Sequence, residues 1–176
     1  ETDGLTGALG AADIVLSVND EVLSHFSPQQ YPAVLARLIE EREPRLVMLG
    51  STSMGLDLGA ALSGRLGLPL VSSCVDIAIE NDTLICTSQM YGGKLMLEAV
   101  VTAATGIVQM LPGAGHAEDG QKDGSPRVEN ISLALAPEDY AMHFESYIKP
   151  KAGDIDITQS PVLISVGRGI QTQDNL

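Results

Sequence analysis

The sequence predicts an α/β domain in which antiparallel β additions extend a parallel sheet core. Strand-like and helix-like segments alternate between Asp13 and Gly67, the spacing of βαβ units. From Leu70 to Leu111 short β-like runs follow one another with no helical pattern between them, as in hairpin-linked strands. The 176 residues are 44% hydrophobic and 19% charged, enough to bury a large core; with aromatics at 3% and no Trp, that core is aliphatic.

Asp13 to Val18 reads as a buried strand that ends at Asn19-Asp20. Ser27 and Gln30 stand at capping-box spacing around Pro28, and Tyr31, Val34, Leu35, Leu38 and Ile39 make one apolar helix face that closes before Pro44. Leu46 to Leu49 is a fully apolar strand of the kind that parallel sheets bury on both faces. Ser51, Thr52 and Ser53 cap a second helix starting near Gly55, with Leu58, Leu62 and Leu66 inward and Gly67 at its end. Four β runs follow, about 70–79, 83–90, 95–102 and 106–111, read as antiparallel strands added to the sheet's edge. Asn81-Asp82 is a two-residue hairpin turn, which sets Glu80 opposite Thr83 and Cys86 opposite Ile77. By strict alternation Cys74 then lies on the other face, so the two cysteines are expected as separate reduced thiols. Gly113 to Arg127 is read as a mobile polar loop, Val128 to Leu135 as β, Tyr140 to Ile148 as an aromatic-rich stretch and Ser160 to Val166 as a last strand before Gly167-Arg168-Gly169.

Charge excludes several functions. Ten Lys+Arg against 23 Asp+Glu give −13, which repels a phosphate backbone or an anionic membrane surface, so no nucleic-acid partner is expected. The apolar window Leu95 to Leu111 is too short and too polar for membrane insertion. These features fit a cytoplasmic protein, and a first residue Glu1 suggests a processed or truncated chain.

Chemistry-bearing motifs are few. Ser53 lacks the glycine of a nucleophile elbow at Ser51. Gly113-Ala114-Gly115 opens like a dinucleotide fingerprint, but Glu118 replaces the third glycine. His116, Glu118, Asp119 and Asp123 lie in a loop with nothing rigid to fix a metal, and His25, His143, Asp154 and Asp156 form no acid–base constellation. No catalytic residue and no metal ligand is named, and the chain is read as a non-enzyme. Gly167-Arg168-Gly169 has specific chemistry: glycines let backbone approach a ligand, and arginine presents a planar fork to phosphate.

Ile164 to Ile170, followed by Gln173-Asp174-Asn175-Leu176, resembles the segment that opens the FAD-binding domain of electron-transfer flavoprotein alpha subunits. Leu49 to Leu58, Arg65-Leu66-Gly67, Tyr91-Gly92-Gly93 and Pro112-Gly113 resemble further motifs of that family, in the family's order. Leu56, Ser88 and Leu111 stand where the family usually has arginines, and Val166 where it has a glycine.

The resemblance implies a Rossmann-like three-layer domain over 1–148, a linker over 149–159, and the start of an FAD-binding domain over 160–176. It implies an electron carrier that holds FAD with Gly167, Arg168 and Gly169 at the pyrophosphate and has Tyr91-Gly92-Gly93 near a subunit interface. The implied partners are a beta subunit, dehydrogenases and an acceptor oxidoreductase. FAD is not expected to stay on this chain alone, and its uncovered strand edges are expected to be covered by upstream residues, by self-association as a homo-oligomer or by a partner. The alternative reading is a stand-alone adenine-nucleotide-binding domain of the universal-stress-protein kind, using the Ser51 to Ser53 helix entry.

Overall fold

The computed structural model describes residues 9–120, 122–133, 140–148 and 160–172. The chain divides into two compact units, Glu1–Phe144 and Glu145–Leu176. The first contains strands β1 (Ile14–Val18), β2 (Leu46–Gly50), β3 (Leu70–Glu80), β4 (Thr83–Met90), β5 (Leu95–Val101), β6 (Gly106–Met110) and β7 (Arg127–Ile131), with helices α1 (Gln30–Arg42) and α2 (Ser53–Leu66).

The α/β class is borne out. One sheet has the order β2-β6-β3-β4-β5, and β1 pairs with β7 in a separate parallel ribbon. In the larger sheet β2, β6 and the first half of β3 run parallel, and β3, β4 and β5 form an antiparallel meander. The run at 106–110 therefore corrects the sequence expectation: it is a parallel strand inside the sheet, not an antiparallel addition at its edge. Alternation reports which face a residue occupies and is silent on which strand lies beside it.

Both helices start and stop where their chemistry dictates. The Ser27 hydroxyl accepts from the backbone of Gln29 and Gln30, each at 3.3 Å, at the entry to α1. Glu43, left-handed at φ 44°, closes α1 before Pro44 by donating its N–H to Ile39 O at 2.9 Å. Thr52 caps α2, accepting from Gly55 N at 3.1 Å, and Gly67 ends it at φ 66°. A side chain at Gly55 would overlap the Gly50 carbonyl, so glycine there permits the tight passage from β2 into α2.

Two clusters make the core of the first unit. Ala36 and Ile39 of α1, Leu62 of α2 and Ile107 of β6 close one face of the parallel strands. On the opposite face Val108 packs with Cys74, Leu84, Cys86 and Val101, which joins the parallel strands to the meander. The sheet curls to allow this. A Cβ at Gly106 would come within 2.7 Å of Val101, and Arg45 donates to Val101 O at 3.0 Å and Ala103 O at 2.7 Å.

The cysteines carry a second correction. The hairpin pairs Glu80 with Thr83 and Ile77 with Cys86, as the turn requires, and both turn residues are left-handed, Asn81 at φ 47° and Asp82 at φ 63°. Between Asp76 and Cys74 the register shifts, so that Cys74 faces Ser88. Val75 is the extra residue of a β-bulge, which reverses the parity of everything before it. Cys74 and Cys86 therefore share one face, both fully buried.

In the second unit residues 160–166 form no strand among the described residues. An extended apolar segment becomes a strand only against a neighbour that takes its N–H and C=O groups, and no described strand pairs with it. The 149–159 linker, Asp154, Asp156, residues 134 and 135 of the predicted β run, and 173–176 lie outside the described residues.

Candidate functional site

Gly167, Arg168 and Gly169 lie at a short 3₁₀ turn, Arg168–Ile170, entered from an extended Gly167 (φ −75°, ψ 151°). Ile170 N donates to Gly167 O and Gln171 N to Arg168 O, each at 3.2 Å. The Arg168 side chain is exposed and has no partner among the described residues, and a Cβ at either flanking glycine would meet nothing within 4 Å. An unpaired guanidinium beside two bare backbone positions is chemically suited to a phosphate group. Val162, Leu163, Ile164 and Val166 leading into the turn are themselves exposed.

Tyr91-Gly92-Gly93 is the β4–β5 turn. All three residues are left-handed, with φ of 52°, 67° and 85°, and Gly93 N returns to Met90 O at 3.1 Å. This conformation is cheap for glycine and strained for Tyr91. Tyr91 is 74% exposed beside strand β5, which bares Leu95 and Leu97 on one face and Met96 and Val100 on the other. Sequence alternation alone missed this surface, because it places half of β5 inward; register shows that Leu95 and Leu97 continue the buried face of Ala99 and Val101 past the end of the core.

At the α2 entry one hydroxyl has a capping role. Thr52 Oγ1 is the cap, Ser51 N donates to Met110 O at 2.7 Å, and the buried Ser51 Oγ has no hydrogen-bond partner among the described residues. A cavity of about 490 Å³ lies between the helices, lined by Pro28, Gln29, Pro32, Ala33, Ala61, Arg65 and Tyr140; the Gln29 side-chain carbonyl is already used by Met142 N at 3.0 Å. Among the described residues no three His, Cys, Asp or Glu side chains cluster to hold a metal, and no helix is long and apolar enough to cross a membrane. His25 stacks on Phe144 with ring centroids 3.8 Å apart, a packing role.

Electrostatics are perturbed at two places. Glu129 on β7 is held below the ordinary carboxylate range, first by the hydrogen bond from Arg42 and then by the charges of Arg42 and Arg127. The Cys86 thiol is pushed up, chiefly by burial and then by the Cys74 thiol beside it. Neither group lies in the Arg168 turn or in the Tyr91 turn.

Comparison with known proteins shows the family of the chain. The family model described as the electron transfer flavoprotein domain matches residues 1–136. The electron transfer flavoprotein subunit alpha of Clostridium acetobutylicum is 30% identical over 176 residues, covering 93% of this chain and 50% of that protein. Protein FixB of Clostridium saccharobutylicum is 30% identical over 168 residues, and the subunit alpha of Bacillus subtilis is 26% identical over 163, with the same two coverages. The chain thus spans about half the length of the curated relatives it matches.

Proposed function

Since the chain belongs to the electron transfer flavoprotein domain family, we propose that it is the alpha-subunit half of an electron carrier, contributing the domain that packs on a beta-type subunit. The single observation that carries this reading is the extent of the match, which covers residues 1–136 in the family model and 93% of the chain in relatives named as that subunit. The protein works as a carrier and performs no bond chemistry of its own. It takes electrons from dehydrogenases and delivers them to an acceptor oxidoreductase in the cytoplasm.

The cofactor of this reading is FAD, which supplies the one- and two-electron chemistry when bound. Gly167, Arg168 and Gly169 are assigned to its pyrophosphate. The unpaired guanidinium and the open glycine positions fit that group, and the rest of the FAD site is assigned to sequence beyond this chain. The apolar surface of β5 and the Tyr91 turn are assigned to the beta-type subunit, since an exposed edge strand with so few charges is otherwise an aggregation hazard.

Isolation of the native protein from its source, with intact mass, subunit composition and absorbance spectrum, tests the proposal. Bound FAD, a second subunit and bleaching of the flavin on addition of a reduced dehydrogenase are expected. A colourless protein without a second subunit overturns it.

A further inference from the structure

We propose that Cys74 and Cys86 constitute a redox-responsive dithiol, which closes to an intramolecular disulfide by exchange with a low-molecular-weight disulfide such as oxidised glutathione. Neither cysteine belongs to the FAD turn or to the exposed surface of β5. The inference stands on three features of the meander.

The first is parity. The bulge at Val75 puts Cys74 opposite Ser88 and hence on the same face as Cys86, two residues along β4. Both sulfurs lie in one closed cluster with Leu84, Val101 and Val108. Without the bulge Cys74 would face Gln89, with its thiol on the other side of the sheet.

The second is slack. Diagonal neighbours in a regular antiparallel ladder have Cα atoms roughly 7–8 Å apart, just outside the range of about 4.4–6.8 Å that a disulfide accepts. Here the ladder is already interrupted. Ser73 is left-handed at φ 53°, β3 changes partner from β6 to β4 at Cys74, and Val75 has no opposite residue. A bulged strand bends more readily than a paired one, so the closing movement falls where pairing is already broken. Cys74 Sγ now donates to Asp76 O at 3.1 Å, inside the same irregular segment.

The third is access. Both thiols are fully buried, so exchange proceeds through local opening. Cys86 pairs with Ala99 of β5, the outermost strand of the sheet, whose own residues are largely exposed. Such edges open at a small fraction of the global unfolding free energy.

The chemistry balances. One protein thiol loses its proton and its thiolate attacks a sulfur of the external disulfide, forming a mixed disulfide and releasing one low-molecular-weight thiolate. The second protein thiolate then attacks the protein sulfur of that mixed disulfide and expels the other thiolate. Two protein S–H bonds and one external S–S bond are consumed; one protein S–S bond and two external thiols are formed, so two electrons pass to the oxidant.

The test equilibrates the intact chain with glutathione buffers of graded ratio, traps thiols with acid, and alkylates in denaturant before trypsin. No Lys or Arg lies between Arg65 and Lys94, so both cysteines fall on one peptide, 66–94, and a cross-link within it reads as the loss of two hydrogens. The expected result is that cross-linked peptide, without bound glutathione, half-formed at a poise at least ~10-fold more reducing for the folded chain than for the chain in guanidinium. Cys74→Ser and Cys86→Ser should each stop at a single mixed disulfide. Two alkylated cysteines at every ratio, two bound glutathiones without a cross-link, or equal half-points for folded and unfolded chains would each overturn the proposal.

Discussion

The side chain of Gln109, buried in the central parallel strand β6, reaches across to α2 and donates through Nε2 to Gly55 O at 2.7 Å and Leu56 O at 3.2 Å. It fits there because Gly59, one turn along the helix, has no side chain; a Cβ at that position would overlap the amide. Strand and helix are thus latched by an amide and a glycine that depend on each other. Gln109→Leu should cost about 1–2 kcal/mol through the lost bonds, and Gly59→Ala about 1–3 kcal/mol through overpacking. The double variant Gln109→Ala with Gly59→Ala should be more stable than the summed effects of Gln109→Ala and Gly59→Ala imply, as urea denaturation of the double and both of those singles would show.

The serine and threonine at the α2 entry should behave oppositely. Thr52→Ala removes a cap and should lower stability by roughly 1 kcal/mol, or about 2–4 °C in Tm. Ser51→Ala removes a buried hydroxyl that has no partner among the described residues, so it should be neutral or stabilising. Thermal unfolding of the two variants side by side checks this; equal losses would refute it.

Glu129 predicts an acid-sensitive contact between β7 and the end of α1. Its folded pKa is depressed by the Arg42 hydrogen bond, so the stabilisation is present above the unfolded glutamate value of about 4.3 and is lost as pH falls through the lower folded value. The difference in denaturation midpoint between wild type and Glu129→Gln should therefore be present at neutral pH and shrink towards zero in acid. A difference that grows in acid would contradict this. High salt should reduce it at neutral pH, since the pair is solvent-screened.

Flavin should be lost from this chain and held by one extended through a complete FAD-binding domain. The isolated 176-residue chain should emerge colourless from gel filtration, because one turn offers about one or two charge-assisted hydrogen bonds against the entropy of association. In that extended chain Arg168→Ala should weaken FAD binding by roughly 1.5–3 kcal/mol, about tenfold to a hundredfold, with Arg168→Lys intermediate. Unchanged FAD affinity in the alanine variant would remove Arg168 from the site.

The β5 surface should govern association. Met96 and Val100 are more than half exposed on the outer face of the strand, so Met96→Glu with Val100→Glu should leave the fold intact by circular dichroism. The same variant should abolish binding to a beta-type subunit and reduce self-association of the isolated chain in sedimentation. Undiminished association would place the interface elsewhere.

Local chemistry was legible in the sequence wherever one residue decides an outcome. Ser27, Thr52 and Gly67 mark helix ends, and Asn81-Asp82 specifies both a turn and the register beside it. Legibility failed where the outcome depends on distant neighbours. Nothing in Ser73 to Asp76 announces an extra residue, because a bulge is selected by what β6 and β4 each demand of β3. The route from β5 back to the sheet's interior at β6 is four residues long, 102–105. It is short enough only because the sheet curls until Val101 meets Gly106, which no periodicity encodes. For Gly167 to Gly169 the residue types named a chemistry, while a single exposed turn fixes no ligand by itself.

Strand β3 is held by parallel neighbours over its first residues and by antiparallel ones over the rest, with no break in the backbone between. A protein gripping β5 therefore pulls on a covalent beam anchored beneath α1 and α2, not on a flap swinging from a loop. Because Arg45 also ties the far end of β5 to the start of β2, torque applied at the surface is resisted at both ends of the meander. Load applied there reaches the parallel strands through one irregular segment, Ser73 to Val75, where β3 bends most readily.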